Sequence, residues 1–595
     1  MTGNKIKALR KLMQEHKIQA YLIPSTDPHQ NEYLPALWER RKWISGFTGS
    51  AGELAVTLKK AGLWTDSRYF LQAEQQLTGS AIKLFKIGIP GTPSIMEWLK
   101  NELKAGEKVG IDPQLVSYQE FQKLEAFLKS WKIQLTAVTP NLIDKIWSDR
   151  PEFPQFPIHP HALKYAGETT AEKLRQLREK MKREGVSAHI LTNLDANAWL
   201  FNIRGRDIEF NPLVICYSII TNRQAMLFIP LNKVSPRLRQ HLGSPVKIFP
   251  YQQFAGWLKK LGRDKIKIWL DPATSSWWVV DHLKIRAELF FKESPVTRLK
   301  AIRNKVQISG LKAAQLRDGA ALVKFLAWLQ NEISRQRITE LSAAEKLYQF
   351  RTEQASFQGL SFETISAYGA HAAIVHYSAT PETDVLLKKS GIYLIDSGGH
   401  YLDGTTDITR TIALGKPTSR QKQLFTRVLK GHIQIATARF PRTTAGNQLD
   451  TLARKALWDV GLNYGHGTGH GIGFYLNVHE GPQAISYYRG IGVVLEPGMV
   501  ISNEPGYYQA GEFGIRIENL ILVISDKKYS SPGSEFLTFE TVSYCPIDLT
   551  LVDKSLLSPS EIQWLNQYHR QVRKMLSPLL TGKEVRWLER ATRPI

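Results

Sequence analysis

Only two cysteines, Cys216 and Cys545, occur among 595 residues. They lie far apart in apolar surroundings, so no disulfide framework exists and a reducing, cytoplasmic setting is the expectation. No apolar run approaches the ~18 residues of a membrane-spanning helix, so no membrane partner is expected. The opening MTGNKIKALRKLMQEHK lacks the apolar stretch and small-residue cleavage site of a secretory leader. Its Ile6, Leu9, Leu12 and Met13 fall at helical spacing and predict the first helix of a domain. Acidic residues are also few, 54 against 78 Lys and Arg, for a net charge of +24. The basic residues are dispersed and no zinc-finger or RNA-recognition signature accompanies them, so no nucleic acid is expected as a partner.

Several catalytic signatures are missing as well. No GxxxxGK[ST] occurs and no GxGxxG register fits between Gly465 and Gly473, which excludes a phosphate cradle there. A GxSxG nucleophile elbow is absent. The HExxH pattern begins at His479-Glu480 and fails at Gln483, which removes single-zinc protease chemistry.

What is present is an ordinary globular composition, 43% hydrophobic and 22% charged, in a chain too long for one core. The first half repeats itself. HKIQAYLI leads to Asp27 and WISGFTGS, as GVSAHILT leads to Asp195 and WLFNIRGRD, and KVGIDPQLVSYQEF is echoed by KIWLDPATSSWWVV. Two similar α/β domains follow, residues 1–149 and 150–298, joined through the proline-rich RPEFPQFPIHP. Helices are predicted over 117–128 and 170–184, the second capped by Thr169 or Thr170. From about Leu299 a long amphipathic helical pattern opens a third region, 299–595. A second helix follows from about Ser342, then strands, then a helical tail with Ser558 or Ser560 as cap.

The third region holds the chemistry. YLIDSGGHYLDGTTDITRTIAL places Asp396, Asp403 and Asp407 in an apolar, β-branched segment. It reads as a strand, a turn at Ser397-Gly398-Gly399-His400, and a strand returning from Asp407, with Asp396 and Asp407 able to face one another. Two like charges so placed are destabilising unless a cation sits between them. Asp403 reads as a turn residue bonding its own backbone. His470 in GHGTGHGIG, Glu504 in VISNEPGYY, and Glu518 beside Arg516 in GEFGIRIENLILV add an imidazole and two carboxylates within apolar strands or Gly-rich turns. Four carboxylates and one imidazole suit two divalent ions sharing bridging carboxylates better than one zinc. Two such ions activate water, so the reading from residues alone is a two-metal hydrolase.

Taken together and in this order, these stretches resemble the pita-bread metallopeptidases, whose ligands run Asp, Asp, His, Glu, Glu. Within that family the long, three-domain Xaa-Pro aminopeptidases are most similar, through YLIPSTDPHQNEY, RRKWISGFTGSAG, LWTDSRYFLQAEQQL, GIPGTPSIMEWL, LDANAWLFNIRGRDIEFNPL and the ligand motifs. The resemblance implies an α/β and α+β fold: two creatinase-like N-terminal domains ahead of a pita-bread catalytic domain. It implies Asp396, Asp407, His470, Glu504 and Glu518 as metal ligands, with Glu504 also the general base. His376 and His479 would bind and polarise the substrate, His466 would line the pocket, and Arg516 would orient the carboxylates. It further implies two divalent ions, Mn²⁺ as the first choice with Zn²⁺ or Co²⁺ able to substitute, peptide substrates with proline second, and a homodimer. Ala196 and Asn197 stand where many relatives carry more acidic residues. Three alternatives remain: a prolidase acting on Xaa-Pro dipeptides, a creatinase-like relative that keeps the fold while losing ligands, which the intact set argues against, and a non-enzymatic pita-bread module with a basic surface.

Overall fold

Strand sequences such as AYLI (Ala20–Ile23) and AMLFI (Ala225–Ile229) are buried along their whole length, as central strands covered on both faces must be. The computed structural model describes residues 2–487 and 492–595. They divide into two units, Met1–Ala162 with Glu168–Thr297, and Leu163–Gly167 with Arg298–Ile595.

The first unit contains two six-stranded sheets. One runs Lys83–Lys86, Ala61–Thr65, Glu53–Thr57, Ala20–Ile23, Lys108–Ile111, Gln134–Ala137 in spatial order. The other runs Val246–Pro250, Ala225–Ile229, Tyr217–Thr221, Ala188–Leu191, Lys267–Leu270, Glu288–Phe291. Each sheet has the same succession of pairings: parallel, antiparallel, antiparallel, parallel, parallel. The repeat seen in KVGIDP and KIWLDP is therefore structural. Lys108–Ile111 and Lys267–Leu270 hold equivalent places, and Asp112 and Asp271 each accept an N–H from two residues on, at 3.0 Å. The helix Thr2–Glu15 buries Ile6, Leu9 and Met13 as the spacing predicts. Ser117 and Thr169 cap the helices Tyr118–Ser130 and Thr170–Arg183. Residues 150–158 carry no helix or strand. Ala196 and Asn197 are buried on the helix Leu194–Leu200, where Asn197 accepts from the Ser218 hydroxyl at 2.6 Å. Both cysteines are buried and free.

A short helix, Pro295–Ala301, precedes the long helix, which starts only at Lys305, where Asn304 and Gln307 form a capping box. The next helix, Glu340–Thr352, begins ahead of the expected Ser342 because Thr339 supplies the cap. Ser558 caps the tail helix Pro559–Leu576. Between them lie a sheet of Ile365–Tyr368, Ile392–Ser397 and Ile408–Ala413, a second of Phe357–Leu360, Gly399–Tyr401 and Gly404–Thr405, and a third of Arg439–Pro441, Phe536–Thr541, Asn519–Ser525 and Val500–Asn503.

Two local expectations are corrected here. Ser397-Gly398-Gly399-His400 is not the turn. Gly399–Tyr401 is itself a strand, because Phe357–Leu360 pairs with it, and the chain reverses at Leu402 and Asp403. Asp403 does not serve merely its own backbone; its carboxylate pairs with Arg317 of the long helix.

Candidate metal centre

Asp396 lies near the end of Ile392–Ser397, in the middle of its sheet. Its cross-strand neighbour is Thr409, not Asp407, which precedes the returning strand. His470 belongs to the two-residue strand Gly469–His470 and is fixed by its N–H, which donates to the Ser502 hydroxyl at 2.9 Å. That hydroxyl donates in turn to Glu504 Oε1 at 3.1 Å. Glu504 follows the strand Val500–Asn503, its N–H bonded to the Thr468 carbonyl at 2.8 Å. Glu518 is not inside one strand with Arg516. Phe513–Arg516 ends before it and Asn519–Ser525 starts after it, and its N–H donates to the Thr409 carbonyl at 3.2 Å.

These backbones bring the side chains together. Ligand atoms of Asp407, His470 and Glu518 lie within 4.8 Å of one another. His470 Nε2 is 3.4 Å from Asp407 Oδ2 and 3.4 Å from Glu504 Oε1. Its Nδ1 lies 3.1 Å from the Gly471 carbonyl. A carbonyl only accepts, so the proton sits on Nδ1 and the Nε2 lone pair faces the acids. Asp396 is joined through Arg516, whose Nη2 donates to Asp396 Oδ2 at 2.6 Å. The second oxygen of Asp396, Oδ1, is buried with no hydrogen-bond partner.

Arg516 is buried and also donates to the Thr409 hydroxyl at 3.1 Å and the Tyr508 hydroxyl at 2.7 Å. Thr409 passes its own proton to Glu518 Oε2 at 2.7 Å. Tyr508 reaches His466 Nε2 at 2.8 Å, while His466 Nδ1 sits 2.8 Å from the Gly467 carbonyl. One guanidinium thus ties Asp396, Glu518 by way of Thr409, and His466 by way of Tyr508. The sequence reading singled out Arg516 but missed Thr409 and Tyr508; the second aromatic of EPGYY was the available signal for the latter. His376 and His479 approach with near-parallel rings, centroids 6.5 Å apart, and His479 packs edge-on to His470 at 4.3 Å.

Burial, and then the charges of Glu518, Asp396 and Glu504, push the Asp407 carboxyl well above its ordinary range. Burial with Asp396 and Glu504 does the same to Glu518. Glu504 is raised to about 7 by burial, with Arg516 opposing and Asp396 adding. So many carboxylates cannot all ionise side by side unless cations join them. The oxygen-rich donor set, the orphaned Asp396 Oδ1 and this mutual repulsion all fit divalent metal ions.

The profile of metallopeptidase family M24 matches residues 309–525, and the C-terminal region of that peptidase matches 535–595. A creatinase/prolidase N-terminal domain matches twice, over 5–146 and 149–307. The whole chain is 41% identical to aminopeptidase P2 of Arabidopsis thaliana, covering 89% of that protein, and 42% identical to a probable Xaa-Pro aminopeptidase P of Aspergillus fumigatus, covering 93%. A solved X-prolyl aminopeptidase from Caenorhabditis elegans, described as cytosolic with a di-nuclear active site, matches at TM-score 0.96 and 38% identity over all of both chains. The Xaa-Pro dipeptidase of Bacillus anthracis matches at 0.52 and 26% over 64% of this chain and 99% of its own. The chain belongs to metallopeptidase family M24, with the creatinase-type domains and pita-bread catalytic domain the resemblance implied.

Proposed function

We propose that the protein is a metal-dependent Xaa-Pro aminopeptidase, which removes an N-terminal residue from peptides whose second residue is proline. The observation that carries this reading is the convergence of Asp407, His470 and Glu518 within 4.8 Å, beside Asp396 and Glu504, in a chain similar over its full length to Xaa-Pro aminopeptidases. The dipeptidase match spans only 64% of the chain, which favours the aminopeptidase over a prolidase. A non-enzymatic module is disfavoured by the complete set of acids and histidine.

Asp396, Asp407, His470, Glu504 and Glu518 would hold two divalent ions, which, when bound, lower the pKa of an attacking water and offset developing negative charge. Mn²⁺ is the proposed occupant because carboxylate oxygens predominate, with Zn²⁺ and Co²⁺ the competing ions. Glu504 takes the proton of the attacking water at a carboxylate oxygen and delivers it to the leaving proline nitrogen. His376 and His479 donate ring N–H groups to the peptide around the scissile bond, and His466 lines the pocket beyond it. Arg516 holds Asp396 in place at 2.6 Å. Proline after the cut leaves a tertiary amide with no N–H, so the site needs a shape-matched pocket and no acceptor for that hydrogen.

A homodimer, a cytoplasmic setting and a division into 1–149, 150–298 and 299–595 complete the proposal. No helix among the described residues is long and apolar enough to cross a membrane. The test is to strip the protein with EDTA, restore Mn²⁺, and follow by mass spectrometry a peptide set with proline or alanine second. Metal-dependent loss of only the first residue from proline peptides longer than a dipeptide is expected. Cleavage restricted to dipeptides would replace the reading with a prolidase, and no cleavage with any divalent ion would refute the enzyme.

A further inference from the structure

We propose that Glu340 is a positioning residue that fixes the segment Tyr368–Tyr377 and so sets where His376 stands. The inference rests on the reading that His376 handles the peptide.

Glu340 is the first residue of the helix Glu340–Thr352, a place where a carboxylate normally meets solvent and gains from the helix N-terminus. Here it is 0% exposed. A buried carboxylate is costly unless its oxygens are hydrogen-bonded. Among the described residues no Lys or Arg reaches it, and His371 is the one basic side chain against it. Three residues satisfy it. The Tyr368 N–H donates to Oε1 at 2.7 Å, His371 Nδ1 stands 3.0 Å from both oxygens, and the Tyr377 hydroxyl donates to Oε2 at 2.9 Å. Burial and the Glu340 charge both raise the Tyr377 pKa, so the phenol keeps its proton and remains a donor.

Those three residues bracket His376, and Tyr377 is its immediate neighbour. Between Tyr368 and Tyr377 the chain joins no sheet. It runs through a 3-10 turn, Gly369–Ala373, then two further tight turns in which the Ile374 N–H bonds the His371 carbonyl and the Tyr377 N–H bonds the Ile374 carbonyl, each at 3.0 Å. With no ladder to fix it, the segment takes its position from its anchors. The His371 ring stacks on Tyr377 with centroids 4.5 Å apart, so the Glu340 contacts act as one unit. A second contact is steric. A Cβ on Gly514, in the strand that carries Arg516, would lie 1.8 Å from the Ala372 carbonyl oxygen, so this strand and the segment are packed backbone to backbone. Glu340 and the strand of Gly514 thus both bear on the segment, and the His376 ring that it carries lies near-parallel to that of His479.

The experiment compares E340A, E340Q, H376A and E340A/H376A, each reconstituted with Mn²⁺, by kcat and KM on an Xaa-Pro tripeptide, metal stoichiometry, and thermal unfolding. E340A is expected to lower kcat about 100-fold, the cost of a misplacement of roughly 1 Å. It should keep the same metal content as the wild type, because Glu340 touches no ligand. The double variant should lose no more than H376A alone, since two residues acting through one group are not additive. E340Q should recover to within about threefold, because its carbonyl still accepts from the Tyr368 N–H and can accept from His371 Nδ1, while its amide turns to the Tyr377 oxygen. Wild-type kcat in E340A beside a slow H376A overturns the inference, as do an additive double variant or lost metal. Full activity in H376A overturns the reading of His376 itself, and the inference with it. Should E340A not fold, Y377F carries the test, with a loss of about 10-fold in kcat expected for one missing donor to a charged group and an unchanged kcat refuting it.

Discussion

Gly469→Ala is the substitution most sharply constrained by the geometry. A Cβ at this position would lie 1.9 Å from the Ser502 carbonyl oxygen. A Cβ comes no nearer than about 3.0 Å to such an oxygen, so Gly469–His470 and Val500–Asn503 would have to part by roughly 1.1 Å. Both sides carry the site. His470 is bonded through its N–H to the Ser502 hydroxyl, and that hydroxyl to Glu504. The 3.4 Å between His470 Nε2 and Glu504 Oε1 cannot survive such a shift. The stability cost is that of overpacking, about 1–3 kcal/mol. The metal cost is that of disturbing the shell behind two proposed ligands at once, at least the 10–100-fold typical of one outer partner. Urea unfolding of the apo protein reads the first quantity, and Mn²⁺ titration of the apo protein by calorimetry reads the second, independently of turnover. A G469A protein with wild-type Mn²⁺ affinity and unfolding midpoint would refute the reasoning that these two strands position the centre.

Arg516 reaches Asp396, Thr409 and Tyr508 with separate nitrogens, so R516K should not rescue R516M. Both should lower kcat/KM by about 10–100-fold, and a Lys variant of full activity would show that charge alone suffices. The metal-free protein should lose stability as pH rises. Glu504 moves from 4.5 to about 7 on folding, and Asp407 and Glu518 shift upward too. A raised carboxyl stabilises the fold fully below its unfolded pKa and ceases to do so as pH passes through the folded value. The apo melting temperature should therefore fall between about pH 4.5 and 8, with Mn²⁺ removing the slope; a flat apo profile counts against the crowding of charge. Buried histidines act in the opposite sense. Burial lowers His189 to about 4 and His569 to about 3, so their contribution is present above about 6.5 and is lost as pH falls through those values. H569Q should cost about 1–3 kcal/mol at pH 7 and flatten the acid limb in urea titrations, whereas an unchanged acid limb would deny His569 a share in it.

What was legible from sequence was local, and what was not depended on partners far along the chain. Helix starts at Ser117, Thr169 and Ser558 were readable because a cap is written within four residues of itself. The paired sheets were readable because one strand-turn-helix phrase occurs twice. Gly398-Gly399 read as a turn because glycines usually mark one. The chain instead stays extended there, since Phe357–Leu360 lies alongside and Thr406 N–H bonds the Gly399 carbonyl at 2.8 Å. Gly398 is required for a different reason: a Cβ there would lie 2.1 Å from the Thr406 carbonyl oxygen. Asp403 likewise found Arg317 on a helix that no local pattern connects to it. The same distinction runs through the site. The acids and His470 declare themselves by interrupting apolar or Gly-rich stretches, whereas Thr409, Ser502 and Glu340 are unremarkable in sequence and take their roles from what folding places beside them. An Asp or Glu whose side chain is buried in a soluble domain has to be answered by something. For Asp396, Asp407, Glu504 and Glu518 the proposed answer is metal together with Arg516. For Glu340, with no Lys or Arg at hand among the described residues, the answer is the donors of the segment that carries His376, and this makes its burial a statement about the site and not about the core.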